Sequence, residues 1–212
     1  MNMMRKFVFA TLATSTIDLG EAVAAEQGSC KAVRFSDVGW TDITATTATV
    51  SIVMEALGYQ PETQMLSIPV TFASMKNGDI DVYLGDWQPS AAVERQPYLD
   101  DKSIEVLPAN LTGAKYIFAV PKYVADAGVK DFADLQKFAD KFSRKIYGIE
   151  PGGNGNRIII DMIGEGDFGL ADWEILESSE QGMLTGASRD GEERVAQGSV
   201  HGDHLCLPCQ EG

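Results

Sequence analysis

Aromatic residues beside acidic residues recur at three points of the sequence, and this pattern could bind an organic cation. Trp40, Trp87 and Tyr116 each lie where a predicted strand ends. A quaternary ammonium group gains about 0.5–2 kcal/mol from each aromatic face that it contacts. Any one of these rings alone would be interpreted as a core residue. Three rings at equivalent strand ends favour a box for a small cation.

Asp42 follows Trp40 by two residues and is the candidate acid of this site. Its carboxylate could accept a hydrogen bond from a ligand hydroxyl and balance a positive charge. The alternative role is that of N-cap for a helix predicted from Thr44, a position that Asp favours. Both roles can hold together. Asp86, beside Trp87, is predicted to be structural.

A glycine-rich loop, residues 151–156, precedes another predicted helix. Its backbone N–H groups resemble those of a phosphate-binding turn, but it matches neither the dinucleotide nor the Walker pattern. We expect a ligand-facing turn in which Asn154 or Asn156 binds a ligand hydroxyl. The alternative is an ordinary start of a helix.

The remaining reactive residues do not predict an enzyme. His201, His204, Cys206 and Cys209 have the spacing of zinc ligands, but they lie in a segment without apolar periodicity. Both histidines lie in that segment, so no Ser/His/Asp arrangement is formed elsewhere. We therefore predict no catalytic residue, no metal and no cofactor. A zinc-binding module remains an alternative that metal analysis of the purified protein would test.

Composition and charge restrict the class of protein. The 212 residues are 44% hydrophobic and 8% aromatic, which is typical of one large globular domain or two small lobes. The formal net charge is -14, and such acidity argues against nucleic-acid binding, which requires clustered Lys and Arg.

The first 25 residues have the pattern of a secretory signal peptide. Arg5 and Lys6 precede an apolar run over residues 7–17, and Ala22-Val23-Ala24 offers the small-x-small pattern of a cleavage site near Ala24 or Ala25. The pattern predicts an exported, periplasmic protein. In an oxidising compartment Cys30 could form a disulfide, although the count of three cysteines leaves one thiol over.

The chain alternates predicted strands and helices, which indicates an α/β protein with parallel sheets. Predicted strands cover residues 31–35, 63–68, 80–84, 115–120 and 145–149; predicted helices cover 44–57, 72–76, 132–142 and 158–163. The first helix is expected to bury Val50, Val53, Met54 and Leu57. Ligands bind beyond the carboxyl ends of parallel strands, where Trp40 and Trp87 are expected.

Four separated motifs occur in the same order in one known family. They are residues 33–44, Leu84 to Pro89, Tyr116, and Ile149 to Gly152. Through them the chain between Cys30 and Met183 resembles the substrate-binding proteins of choline and glycine-betaine ABC importers, most closely the choline-binding branch. The resemblance implies a two-lobed periplasmic binding-protein fold of type II that closes by a hinge. Lobe I would cover residues 26–112 and lobe II residues 113–183.

The same resemblance implies roles for individual residues. Trp40, Trp87 and Tyr116 match the aromatic box around the trimethylammonium group, and Asp42 matches the acid of the choline-binding branch. The ligand-binding Asn of the family falls at Gly153, with Asn154 next to it. Implied partners are choline and a membrane permease, and the implied state is a monomer.

The sequence departs from the family after Met183. Residues 184–212 are expected to form an aberrant, disordered tail, where the family has a helix, a strand with a further box Trp, and a return to lobe I. Rereading residues 187–196 one base over yields a basic helix with Glu-Trp, so we hypothesise a frameshift. We expect the chain to lack its C-terminal part and to bind with impaired affinity.

Two other functions remain open at this point. The first is a glycine-betaine or proline-betaine binder, separated from a choline binder by competition between the ligands. The second is an exported enzyme acting on a choline ester or phosphocholine, which would need a nucleophile or metal site that the sequence does not offer outside the tail.

Overall fold

The structure is a computed structural model that describes residues 30–188 and the backbone of residues 195–197 and 204–208. The predicted signal peptide lies outside the described residues, as do the side chains of the His/Cys tail. Cys30 is exposed and forms no disulfide among the described residues. None of the helices described is both long and apolar enough to cross a membrane.

The first α/β unit is built on a parallel sheet with strand order β2-β1-β3. Its elements are β1 (Ala32–Asp37), α1 (Thr41–Ala56), β2 (Gln60–Met65), α2 (Ile68–Asn77), β3 (Val82–Tyr83) and α3 (Ala92–Asp100). Helices alternate with the strands, as the sequence predicted. The strands therefore run in one direction, and the segments after β1 and β3 meet at the same edge.

Helix α1 presents a different face to the sheet from the one predicted. Its buried residues are Ile43 and Thr47, whereas Val53 is 55% and Leu57 is 68% exposed. The prediction that Val53 and Leu57 are buried is therefore wrong. The helix begins at Thr41, and the sharp turn after β1 brings its first two turns, rather than its last two, against the core.

The second unit contains a mixed sheet with strand order β6-β5-β7-β4-β8. Its elements are β4 (Ile117–Pro121), α4 (Lys122–Asp126), α5 (Phe132–Leu135), β5 (Lys145–Gly148), α6 (Asn154–Glu165), β6 (Glu174–Glu177), α7 (Glu180–Ala187), β7 (Val195–Gln197) and β8 (His204–Pro208). Strand β5 is parallel to β6 and β7, but β4 is antiparallel to β7 and β8.

The core of this second unit contains the apolar residues predicted for it. Phe132, Leu135 and Phe142 are all buried, and Phe138 packs against them. The predicted continuous helix is broken, because α5 ends at Leu135 and a 3₁₀ turn follows. Trp173 completes this core, with its indole N–H donated to Gln136.

The structure also contains elements in the segment predicted to be a disordered tail. Residues 184–187 complete α7, and β7 and β8 are strands of the second sheet. These elements could not be predicted from apolar periodicity, because a strand of three residues is too short to show an alternation of apolar and polar residues. The rest of that tail lies outside the described residues.

Candidate functional site

One pocket collects the aromatic residues that the sequence singled out. It encloses about 400 Å³, including the solvent at its mouth, and lies between the two units. Its lining residues are Trp40, Asp42, Trp87, Lys115, Tyr116, Ile149, Glu180 and Met183. Trp40, Asp42, Trp87 and Tyr116 are thus brought together.

The β1–α1 turn holds Trp40 at the pocket. Gly39 has a φ of 83°, a left-handed conformation that favours glycine. The buried carboxylate of Asp37 accepts hydrogen bonds from the Gly39 N–H (2.8 Å) and the Thr44 hydroxyl (2.7 Å). These bonds tie the turn to the first turn of α1. Trp40 is consequently fixed between strand and helix, with its side chain buried.

Trp87 enters from the turn after β3. Asp86 beside it accepts hydrogen bonds from Gln88 and from Arg95, the latter at 2.7 Å. Asp86 therefore anchors this turn to α3, which agrees with the structural role expected for it. The Trp87 carbonyl accepts a bond from the Ser90 hydroxyl. The ring itself is left half-buried at the pocket.

Tyr116 reaches the pocket in a way that differs from the prediction. It precedes β4 rather than following a strand end. Because β4 is antiparallel to β7 and β7 is parallel to β5, the start of β4 lies at the edge where β5 ends. The aromatic therefore faces the same cleft as Ile149, which follows β5, although the assumed strand direction was wrong.

The three rings form a continuous aromatic surface. The centroids of Trp40 and Trp87 are 6.4 Å apart with planes at 87°, and those of Trp87 and Tyr116 are 5.0 Å apart with planes at 50°. Rings at such steep mutual angles present faces in different directions. This arrangement suits a compact group that touches several faces at once, as a methylated ammonium does.

Asp42 lies in the first turn of α1, one residue beyond the helix start. The N-cap position is occupied by Trp40, so the N-cap role considered for Asp42 is wrong. Burial raises the pKa of Asp42, and bonds with the N–H groups of Ile43 and of Asp42 itself oppose that rise. Burial therefore disfavours the ionised form of Asp42, and a bound cation would stabilise that form.

Asn154 and Asn156 lie behind the pocket rather than in its lining. Both are 1% exposed. Asn154 accepts a hydrogen bond from the Tyr116 hydroxyl at 2.7 Å and donates to the Ser90 hydroxyl at 3.2 Å. Asn156 bonds the backbone of Ile149 in both directions. These contacts make Asn154 a support for an aromatic wall and Asn156 a brace for the loop.

Sequence reasoning missed several residues at the pocket. Lys115, Ile149, Glu180 and Met183 also line it. Lys115 adjoins Tyr116 in the sequence and could have been noted from that. Glu180 carried no such signal, because its partner is 139 residues away: its carboxylate accepts the N–H and hydroxyl of Thr41, each at 2.7 Å.

Further polar contacts join the two units. Arg157 of α6 donates to the Ser90 carbonyl at 2.8 Å and to Glu94 at 3.1 Å. Together with the Thr41–Glu180 contact, these bonds join residues of the first unit to residues of the second. Residues of both units line the pocket, and these hydrogen bonds join the two units.

Metal binding has no support in the part of the chain that the structure describes. No group of three or more His, Cys, Asp or Glu residues there is arranged to hold an ion. The alternative of a zinc site concerns the tail, whose side chains lie outside the described residues.

A sequence profile of a known family matches residues 31–200. That family is the substrate-binding domain of ABC-type glycine betaine transport systems. The chain belongs to this family. Its members bind substrates for transport and are not enzymes, as the sequence predicted. The match continues to residue 200, beyond Met183, the last residue of the predicted resemblance.

Two relatives by sequence and two by structure support the assignment. An uncharacterised protein of Chromohalobacter salexigens is 51% identical over 136 residues, which is 64% of this chain and 88% of the relative. The glycine betaine/carnitine transport binding protein of Listeria monocytogenes is 32% identical over 105 residues, 49% of this chain and 34% of the relative.

Among solved structures, an ABC-transporter choline binding protein in complex with choline has a TM-score of 0.77 and 52% identity over 82% of this chain. A lactococcal protein of the family, closed around glycine betaine, has a TM-score of 0.74 and 26% identity over 84% of this chain. The α/β fold of type II periplasmic binding proteins is thereby confirmed. This chain spans 61% of the choline-binding chain and 71% of the lactococcal one.

Proposed function

We propose that this protein is the exported substrate-binding component of an ABC importer and that it captures choline between two lobes, residues 26–112 and 113–183. The observation that carries the proposal is the convergence of Trp40, Trp87 and Tyr116 on one pocket beside Asp42. The complex of a 52% identical protein with choline supports it. A membrane permease is the proposed partner, and the proposed state is a monomer.

The charges at the pocket favour a cation over a zwitterion. Asp42 and Glu180 line it with a single opposing Lys115, so the lining carries a net negative charge. A carboxylate-bearing betaine would be repelled by Asp42, whereas the choline hydroxyl can donate to it. The repulsion of the betaine and the hydrogen bond of the choline hydroxyl both favour choline.

Glycine betaine is the second candidate, because Lys115 offers a charge partner for a carboxylate. Substituting Lys115→Met separates the candidates. It is expected to leave choline affinity unchanged or raised if choline is the ligand, and to weaken binding if the ligand is a betaine.

Isothermal titration with choline, glycine betaine and tetramethylammonium tests the proposal. We expect choline to bind more tightly than glycine betaine, and tetramethylammonium, which has no hydroxyl to donate to Asp42, to bind less tightly than choline. Absence of binding of every quaternary ammonium compound would refute the proposal. The same titration tests the expectation of impaired affinity, which micromolar binding of choline by this 212-residue chain would contradict.

A further inference from the structure

Glu150 is linked to the aromatic box although it does not line the pocket. The Trp40 indole N–H is directed between the two carboxylate oxygens of Glu150, at 3.0 and 2.9 Å. The two residues are 110 positions apart and belong to different units: Trp40 follows β1, and Glu150 follows β5. The indole ring of one unit is therefore held by a carboxylate of the other.

Among the described residues, no hydrogen bond joins the Trp40 side chain to another residue of its own unit. It is the N-cap residue of α1, and its side chain makes no capping hydrogen bond. A Trp side chain has one donor and no acceptor, so a single acceptor determines which way the ring edge points. Glu150 is that acceptor. The same ring packs against Trp87 in a T-shaped arrangement and lines the pocket.

We propose that Glu150 is a positioning residue for cation binding, which acts by fixing the face of Trp40 across the cleft and by polarising its ring. The proposal rests on the proposed function, since it concerns the same pocket. A carboxylate that accepts the indole N–H draws the proton outward and leaves more electron density on the ring. A more negative face attracts a cation more strongly.

Replacing the Glu150 carboxylate with an amide is expected to weaken its hydrogen bonding to the Trp40 indole N–H. Glutamine offers one acceptor oxygen, and its NH₂ group would confront the indole N–H on the other side. Glu150→Gln therefore disturbs the ring orientation while it preserves side-chain length. Glu174→Gln is a matched control, because Glu174 lies on β6 and pairs with Lys145 at 3.3 Å, apart from the pocket residues.

A double-mutant cycle with Trp40→Phe tests the proposal, with tetramethylammonium as the probe. Glu150→Gln is expected to weaken its binding about 3- to 30-fold in the wild-type background, since a charge-assisted bond and one cation–π face are both affected. In the Trp40→Phe background, which has no indole N–H, the same substitution is expected to cost less than about 2-fold. Equal losses in both backgrounds, or no loss in either, would overturn the proposal.

The indole resonances supply a readout that does not depend on ligand. The chain contains three Trp residues. In a ¹H–¹⁵N spectrum, the indole N–H signal of Trp40 is assigned by its loss in Trp40→Phe. In Glu150→Gln this signal alone is expected to move upfield, while Glu174→Gln leaves it in place. A wild-type protein that binds no quaternary ammonium compound refutes the proposed function, whereas an unmoved indole signal refutes the Trp40–Glu150 link.

Discussion

The ring centroids of Trp87 and Tyr116 lie 5.0 Å apart, although the two residues come from different units of the molecule. Trp87 follows β3 of the first sheet, and Tyr116 precedes β4 of the second. Trp87 also contacts Trp40 edge to face. It is therefore the central ring of the aromatic surface.

Removal of this central ring is expected to weaken ligand binding more than it affects folding. Trp87→Ala should reduce choline affinity about 2- to 30-fold, the equivalent of one cation–π face. Tyr123→Ala, an exposed aromatic on α4, serves as the control and should leave affinity unchanged. Titration calorimetry measures both. Wild-type affinity in Trp87→Ala would show that the ligand does not use this surface.

A second prediction concerns the support of Tyr116. Asn154→Ala leaves the Tyr116 hydroxyl without its acceptor and should lower the free energy of unfolding by about 1–3 kcal/mol. The loss should shrink when Tyr116 is replaced by Phe, which carries no hydroxyl to satisfy. Denaturant unfolding of the two single variants and the double variant tests this coupling. Additive losses would mean that Asn154 acts through other contacts.

Local patterns predicted the positions of the site aromatics well, for a physical reason. A glycine follows the end of β1 and the end of β3 by two residues, and this local turn signal marks where each strand ends. Trp40 and Trp87 could therefore be placed at a sheet edge. Tyr116 was placed at the correct edge from an incorrect strand direction. The antiparallel pairing of β4 depends on partners almost 80 residues further along, at Ala196 and Gln197, and no local pattern carries that information.

Apart from Asp42, the acids at and behind the pocket could not be found in the same way. Glu150 and Glu180 meet their partners across 110 and 139 residues of sequence. Exposed and buried acids look alike in a sequence with 31 of them. Likewise, apolar residues at helical spacing in α1 predicted a buried face, whereas the path of the chain after β1 determines which face meets the sheet.

The corrected orientation of α1 makes a direct prediction about stability. Leu57, expected in the core, is 68% exposed, whereas Leu135 is completely buried. Leu135→Ala should cost about 2–5 kcal/mol of unfolding free energy because it leaves a cavity. Leu57→Ala should stay within about 0.5 kcal/mol, as exposed substitutions do. Chemical denaturation compares the pair, and a large loss in Leu57→Ala would restore the original assignment of the buried face.

Ionised Asp42 is expected to lower the stability of the free protein and to strengthen cation binding. The sign of the effect on stability follows from its raised pKa. The folded protein binds the carboxyl proton of Asp42 more tightly than the unfolded chain does. The contribution of Asp42 to stability is therefore fully present at acid pH and is lost as the pH rises through the folded pKa. Cation binding has the opposite dependence, because it requires the ionised carboxylate.

Asp42→Asn removes both effects. At neutral pH the free variant should melt above the wild type, while choline affinity should fall about 10-fold or more, the value of a hydrogen bond to a charged group. The decline of affinity toward acid pH should become shallower, with the remainder due to Glu150, whose pKa is also raised by burial. Asp172→Asn, whose carboxylate pairs with Arg144 on the surface, is the control. Calorimetric titrations and melting curves over the acid range measure these changes, and an unaltered affinity in Asp42→Asn would exclude Asp42 from the site.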